Sequence, residues 1–278
     1  MPVSKLKNLS IFILLMANLA LILLVAPNRV QSRQEEEALW ESLERLYTEA
    51  EITLSPEARA DTLSLYQLEL KEGGDADLQA AGVLLGDKLL KQEDSTRYLS
   101  SYRSDRGTCQ ISQNGEFQAQ LTDQPERGDL KKSAQRTLRS MGFSWASMAE
   151  PERVRAGVYE LRAVQSVLGV PVFSDGLTLT YSNNRLTALE GTFLTGTKTL
   201  TRVSDRACLT AGDALVVFLS ARYELGWVGS EVLSMEQGYV LTETAAAATV
   251  RLTPVWLLGT DTGSFLVNGI SGEVLPAE

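Results

Sequence analysis

A short segment near the C-terminus has the residue types of a catalytic motif. Asp261-Thr262-Gly263-Ser264 copies the Asp-Thr-Gly signature that supplies one carboxylate in aspartic peptidases. Those enzymes need two carboxylates that share a proton, so a single copy would require a homodimer. This copy lies close to the C-terminal Glu278, and Thr260 precedes it where an apolar residue is usual. We therefore favour a turn between two strands, with Asp and Gly at turn positions.

The chain contains no histidine, which excludes several common kinds of active site. Ser-His-Asp and Cys-His catalysis both need an imidazole base, and the common zinc sites need His or clustered Cys. The two cysteines, Cys109 and Cys208, are far apart in sequence and form neither a disulfide framework nor a metal motif. The two cysteines are either buried free thiols or the two ends of one disulfide bridge, and the sequence leaves both alternatives open. Among side-chain catalysts, carboxylate, lysine or tyrosine chemistry stays open, and we expect no cofactor-binding or metal-binding residues and no cofactor.

The net charge of the chain limits the classes of molecule that it can bind. The formal net charge is −9, and no predicted element carries a basic stripe of the kind that neutralises phosphates, so we expect no nucleic-acid partner. The glutamate-rich stretch at 35–51 is interpreted as a solvated helix face rather than a cation site. The four tryptophans are expected to pack in the core rather than line a sugar or peptide groove.

The N-terminus predicts a membrane anchor. Residues 9–26 contain no charge and only two polar side chains, Ser10 and Asn18. As a helix they would be about 27 Å long, close to the roughly 30 Å of a hydrocarbon core. A secretory signal peptide is the alternative, but the apolar stretch is long for one and Pro27 makes a poor cleavage neighbour. We expect an uncleaved span, with residues 1–8 as a cytoplasmic tail and residues 27–278 outside the cytoplasm.

Asn18 is the one strongly polar residue inside the predicted span. An unpaired amide in lipid costs free energy, so it could form a hydrogen bond with a partner helix. We therefore predict a helix–helix contact on the face formed by Leu14, Leu15, Asn18, Leu21 and Ile22.

The periodicity of apolar residues predicts the soluble elements. Helices are expected at 34–51, 77–90, 129–142 and 205–225, the last with Ser204 as its N-cap. Asn114-Gly115 predicts a β-hairpin. The expected strands are 62–70, 97–102, 108–111, 116–121, 159–164, 170–173, 177–181, 186–192, 232–241, 249–258, 264–268 and 273–275. The fold class is α+β.

An internal repeat is also expected. Helices 129–142 and 205–225 each precede a similar series of strands and turns, offset by roughly 80 to 84 residues. Each unit is a helix followed by an antiparallel meander, and 63–121 resembles a degenerate third version. We accordingly divide the chain into a helical linker at 27–56, a first α+β unit at 57–125 and a tandem-repeat regulatory domain at 126–278.

The C-terminal unit carries a family resemblance. It contains Pro254-Val255-Trp256 and then Asp261-Thr262-Gly263-Ser264-Phe265-Leu266-Val267-Asn268-Gly269-Ile270-Ser271-Gly272-Glu273. With a short basic tail, one membrane helix and a helical linker, this layout resembles the YycI family of regulatory membrane proteins of Gram-positive two-component systems. It is similar more widely to PepSY-like domains, whose units close on a Trp-containing strand, a turn and an Asn-x-x-x-Gly-Glu hairpin. The matching residues fall in roughly 157–275, and the N-terminal half departs from the pattern in detail.

The resemblance implies a non-catalytic extracytoplasmic regulator in the cell membrane. Its partners would be a sensor histidine kinase and a second accessory membrane regulator, reached through membrane-helix and outer-domain contacts. One alternative is a PepSY-like inhibitor or chaperone of a cell-surface or spore-coat peptidase. A third is a carboxylate-based hydrolase that uses Asp261.

Overall fold

The computed structural model describes residues 37–71, 74–94, 99–125, 128–174, 176–243 and 249–277. These residues form a mixed α+β fold, as expected, and most of the regular structure is sheet. Residues 37–49 are helical and are called α1. The other three α-helices in the described part of the chain are α2 (Asp75–Leu85), α3 (Leu130–Met141) and α4 (Ala211–Ala221).

The strands of the described residues form two sheets. The first has ten strands in the order β10-β9-β11-β12-β6-β5-β4-β3, with β7 and β8 also paired to β9. Its strands are β3 (Leu90–Asp94), β4 (Leu99–Ser104), β5 (Gly107–Ser112), β6 (Glu116–Pro125), β7 (Trp145–Met148), β8 (Glu152–Arg155), β9 (Val158–Val167), β10 (Val170–Pro171), β11 (Leu177–Ser182) and β12 (Arg185–Thr192).

Two helix-plus-meander segments build this first sheet. Helix α2 precedes the meander of β4, β5 and β6, and α3 precedes the antiparallel series β9, β11 and β12. The last strands of the two series, β6 and β12, pair with each other and join the halves. Because side chains alternate across a strand, one face carries the buried residues, and both helices pack on that face. The resulting first core includes Phe117, Phe143 and Phe193, whose rings are 5.2 to 5.4 Å apart between neighbouring centroids.

The second sheet combines strands from the two ends of the chain. Its seven strands follow the order β1-β14-β15-β16-β17, with β2 paired to β15 and β13 paired to β2. They are β1 (Thr53–Leu54), β2 (Tyr66–Lys71), β13 (Thr201–Ala207), β14 (Glu231–Glu243), β15 (Thr249–Thr260), β16 (Gly263–Asn268) and β17 (Val274–Pro276). Helices α1 and α4 contribute to its core, the second core, around the fully buried Trp256.

The strand pairing divides the chain differently from the predicted units. Strand β2 pairs with β15 and β13, whereas β3 to β12 form the first sheet, so this sheet interrupts the second one in sequence. The predicted boundary between 57–125 and 126–278 instead falls between β6 and α3, inside the first sheet. Strand pairing between distant segments leaves no local sequence signal, which is why periodicity alone did not reveal this grouping.

The predicted helix at 205–225 is wrong at its start. Residues 201–207 form β13, which pairs with β2, and Ser204 lies inside this strand rather than at an N-cap. Helix α4 begins six residues beyond the predicted first residue, at Ala211. Thr210 and Asp213 make a reciprocal capping box there, in which each side chain accepts a hydrogen bond from the other residue's backbone N–H. The Thr-x-x-Asp signature at 210–213 therefore marks the start of this helix better than Ser204 does.

Thr210→Ala is expected to lower the free energy of unfolding by about 1 kcal/mol, because the Asp213 N–H at the start of α4 loses its acceptor. Urea unfolding followed by circular dichroism measures the change. Thr210→Ser keeps an acceptor and is the matched control, expected to stay within about 0.5 kcal/mol of the unchanged protein. Equal losses in both variants would contradict this capping role.

Two buried glutamines each pair with the backbone of one distant residue. Gln165 of β9 donates from Nε2 to the Leu194 carbonyl and accepts at Oε1 from the Leu194 N–H, both at 2.8 Å. Gln237 of β14 does the same with Leu63, at 3.0 and 2.7 Å. Each amide side chain therefore mimics a strand neighbour and fixes a non-regular segment against a sheet.

No helix within the described residues is long and apolar enough to cross a membrane. The predicted span at 9–26 lies outside those residues, as do the tail at 1–8 and the start of the linker at 27–36.

Candidate functional site

The predicted partner-helix residues cannot be placed in the structure. Leu14, Leu15, Asn18, Leu21 and Ile22 all lie outside the described residues. The described residue nearest to them in sequence is Glu37, the first described residue of α1. The surface around α1 is therefore the part of the described domain closest in sequence to the predicted anchor.

Helix α1 is fixed to the second core by side chains at helical spacing. Trp40, Leu43 and Tyr47 are at most 5% exposed, so this face is fully packed. The Tyr47 hydroxyl donates a 2.8 Å hydrogen bond to the carbonyl of Leu215 in α4. Burial raises the pKa of Tyr47 above its ordinary value of 10.0, against the opposing influence of the Arg222 charge. The helix is consequently held as part of the domain.

The end of α1 is held by a second bond to the region of α4. Arg222, directly after α4, donates from Nη1 to the carbonyl of Ala50 at 3.3 Å. Helix α1 ends at residue 49, so Ala50 belongs to the segment that follows it. Cations close to helix carbonyl ends also interact favourably with the helix dipole. One contact thus joins α1 to α4, and a second joins the residues that directly follow the two helices.

An open groove of about 510 Å³ lies between the first turns of α1 and α4. Gly212 allows the close approach, since a Cβ there would lie 3.0 Å from a methyl group of Leu39. The guanidinium of Arg59 stacks 5.6 Å from the ring centre of Trp40 at the same place. The groove is lined by Leu39, Trp40, Ala60, Asp61, Thr62, Thr210, Ala211 and Gly212.

The chemistry of this groove suits binding of a peptide or helix segment. Leu39 is 46% exposed and supplies apolar surface, while Asp61 supplies an exposed carboxylate. Two hydroxyl groups are already used: Thr62 accepts from the Ala211 N–H at 2.9 Å, and Thr210 caps α4. The groove offers an apolar wall beside a single acid. Sequence reasoning missed it because its walls come from segments far apart in the chain, and no local motif marks them.

The Asp-Thr-Gly segment forms the turn between β15 and β16, as favoured from sequence. Asp261 accepts at Oδ2 from the N–H of Ser230 at 2.8 Å and from its hydroxyl at 3.1 Å. The indole Nε1 of Trp227 donates to the Thr262 hydroxyl at 2.8 Å. These bonds attach the 227–230 segment to the turn, so the carboxylate has a structural role in holding the chain after α4.

Asp261→Asn is expected to lower stability at neutral pH and to have a smaller effect in acid. The Ser230 backbone bond holds the pKa of Asp261 below its ordinary value of 3.8. A lowered pKa contributes stability above that ordinary value, and this contribution is lost as the pH falls through the folded-state pKa. Urea unfolding of the unchanged protein and of the variant, at neutral pH and well below pH 3.8, measures the difference in their free energies of unfolding. A difference that is equal at both pH values would contradict this role.

The two cysteines are free thiols, each buried in a different core. The structure therefore decides between the two alternatives in favour of buried thiols. Burial raises the pKa of Cys109 to about 12, with a smaller contribution from the nearby Asp77 charge. The Cys208 thiol pKa is also raised by burial. Both thiols are expected to stay protonated and unreactive at neutral pH.

The described residues contain no group of three or more His, Cys, Asp or Glu side chains placed to hold a metal ion.

Comparisons with known proteins return weak structural likenesses. No protein-family model matches the chain. No curated protein matches it. Over 82% of this chain and 90% of the other, it is similar to the crystal structure of an uncharacterized protein from Eubacterium rectale, with 10% identity and a TM-score of 0.49. Over 79% of this chain and 51% of the other, it is similar to YycH from Bacillus subtilis, with 12% identity and a TM-score of 0.34. Values this low carry no argument about function.

Proposed function

We propose that this chain is a non-catalytic, membrane-anchored extracytoplasmic regulator that modulates a sensor histidine kinase of a two-component system. The observation that carries the proposal is the YycI-like segment from Pro254 to Glu273, combined with the uncharged stretch at 9–26. In this proposal the tandem repeat at 126–278 consists of PepSY-like units, and the domain lies outside the cytoplasm.

The packing of α1 supports a mechanical role for this helix. A membrane helix ending near residue 26 is separated from α1 by about ten residues, so the two move together only if the connection is stiff. At its other end α1 is fixed to the second core by Tyr47 and to the region of α4 by Arg222. With a stiff connection, a partner that binds beside α1 would change the position of the anchor without unfolding the domain.

Regulation requires that a partner distinguishes two states. A ligand shifts a conformational equilibrium only by its difference in affinity for the two conformations. We propose that the groove between α1 and α4 receives an extracytoplasmic segment of the kinase or of a second accessory regulator. Its apolar wall at Leu39 and its acid at Asp61 would then favour one arrangement of the membrane helices over another.

A replacement of the anchor tests this function. The full chain, returned to cells that lack it, is expected to restore the phosphorylation level of the response regulator. A matched chain, with residues 9–26 exchanged for an unrelated apolar helix of equal length, keeps the membrane location but loses the Asn18 face. We expect this chain to restore only part of the regulation. If deleting the chain leaves the phosphorylation of every two-component response regulator unchanged, the proposal fails.

The same assay tests the hydrolase alternative. Asp261→Asn removes the only carboxylate of the Asp-Thr-Gly segment and leaves the anchor and groove intact. We expect this variant to restore regulation as fully as the unchanged chain does, at equal protein abundance. Loss of a measurable hydrolytic activity in the variant would instead favour an enzyme.

A further inference from the structure

Helix α1 carries an exposed row of acids. Glu37, Glu41 and Glu44 are all exposed and follow the spacing i, i+4, i+7. At 3.6 residues per turn they lie within about 60° of the helix circumference and extend over about 10 Å. We call these three residues the acidic stripe. Trp40 and Leu43 lie on the neighbouring face of the helix, in the second core.

Helix α3 carries an exposed row of cations at the same spacing, so the expectation that no element carries a basic stripe is wrong for this helix. Lys132, Arg136 and Arg139 are exposed and also occupy i, i+4, i+7. We call them the basic stripe. Helix α3 contains no Asp or Glu, although the whole chain has a net charge of −9. The guanidinium of Arg139 stacks 5.6 Å from the ring centre of Trp145, which restricts its position.

The two stripes are unpartnered within one copy of the described chain. None of the six side chains forms an ion pair with another described residue, whereas the neighbouring Lys131 pairs with Glu150. Helix α1 packs on the second core and α3 on the first. Both stripes stay exposed in the same molecule, so they can meet only between molecules.

We propose that the acidic stripe of one copy of this chain docks on the basic stripe of a second copy. The two rows have the same length and opposite charge, and Glu41 meets Arg136 at the centre whether the helices run parallel or antiparallel. Exposed ion pairs contribute little individually and are screened by salt. The contact is therefore weak in solution and forms when copies are held at high local concentration.

Intermolecular crosslinking of the full chain tests this contact in membranes. One tagged copy carries Glu41→Cys and a second, differently tagged copy carries Arg136→Cys. If the two stripes are in contact, a short bis-maleimide is expected to join the two introduced cysteines. The native Cys109 and Cys208 are buried, so they do not compete for the reagent. The control pair is Glu41→Cys with Arg103→Cys. Arg103 is exposed, and its strand neighbour Tyr102 points into the first core, so Arg103 lies on the face opposite the helices.

We expect the 41–136 pair to crosslink at least tenfold more than the 41–103 pair, and this excess to disappear at high salt. Reversing the flanking charges tests the pairing directly: Glu37→Lys with Glu44→Lys in one copy, or Lys132→Glu with Arg139→Glu in the other. Either reversal alone is expected to remove the excess, and both together to restore it. Equal yields for the two pairs, or an excess that salt does not change, would overturn the proposal. Crosslinks formed only to another protein would also overturn it.

Discussion

Tyr47→Ala is expected to lower the free energy of unfolding by about 3 to 5 kcal/mol, because it removes a fully buried ring from the second core. The substitution also removes the hydroxyl that donates to Leu215. Since α1 has only one packed face, loss of this ring is expected to free the helix before the rest of the domain unfolds. Urea unfolding gives the total loss, and hydrogen exchange of the α1 amides shows whether the helix opens first.

Tyr47→Phe separates the ring from the hydroxyl. It keeps the packed volume and is expected to cost about 1 kcal/mol, the usual contribution of one hydrogen bond. The raised pKa of Tyr47 gives a further check, because its contribution is fully present below the ordinary value of 10.0 and is lost at higher pH. The Phe variant should therefore lose less stability than the unchanged protein above pH 10. Equal losses for Ala and Phe would contradict a packing role for the ring.

Gln165→Leu is expected to lower the free energy of unfolding by about 3 kcal/mol. Leucine is similar in size, so no large cavity forms, but both backbone groups of Leu194 lose their partner. Gln165 and Leu194 are 1% and 2% exposed, so water cannot replace the amide. An unsatisfied buried polar group costs about 1 to 3 kcal/mol. Equilibrium urea unfolding measures the loss.

Gln237→Leu is the matched control for this prediction. The amide makes the same two bonds, but its partner Leu63 is 48% exposed, so water can replace the lost amide. We expect a clearly smaller loss than for Gln165→Leu. If the two variants lose the same free energy, the exposure of the partner backbone does not govern these contacts.

The elements with local signals were predicted well from the sequence. Helix α3 has Asp129 as its N-cap and Gly142 in the left-handed conformation at its end, which are the residues that the sequence marked. The hairpin at Asn114-Gly115 joins β5 to β6, and Gly115 has φ +89°. Short-range hydrogen bonds and backbone preferences determine such features, and both are visible in a few consecutive residues.

The elements that depend on partners far away in the sequence were not predicted well. The stretch before α4 resembles a helix start, but residues 201–207 pair with β2 instead, more than 130 residues away. The groove likewise needs α1, the segment at 60–62 and the start of α4 to come together. Periodicity cannot reveal such pairings, because each segment alone is compatible with several neighbours. The predicted contact face around Asn18 stays a prediction.

The most direct test of the proposed regulator is photo-crosslinking from the predicted membrane span. A photoreactive residue at position 14 of the full chain, on the predicted face that includes Asn18, is expected to capture a sensor histidine kinase in living membranes, identified by mass spectrometry. The matched control places the same residue at position 16, about 200° around the predicted helix, where we expect little capture. Capture of a histidine kinase at 14 but not at 16 is the result that this account predicts. No histidine kinase at either position, with the chain correctly inserted, would contradict it.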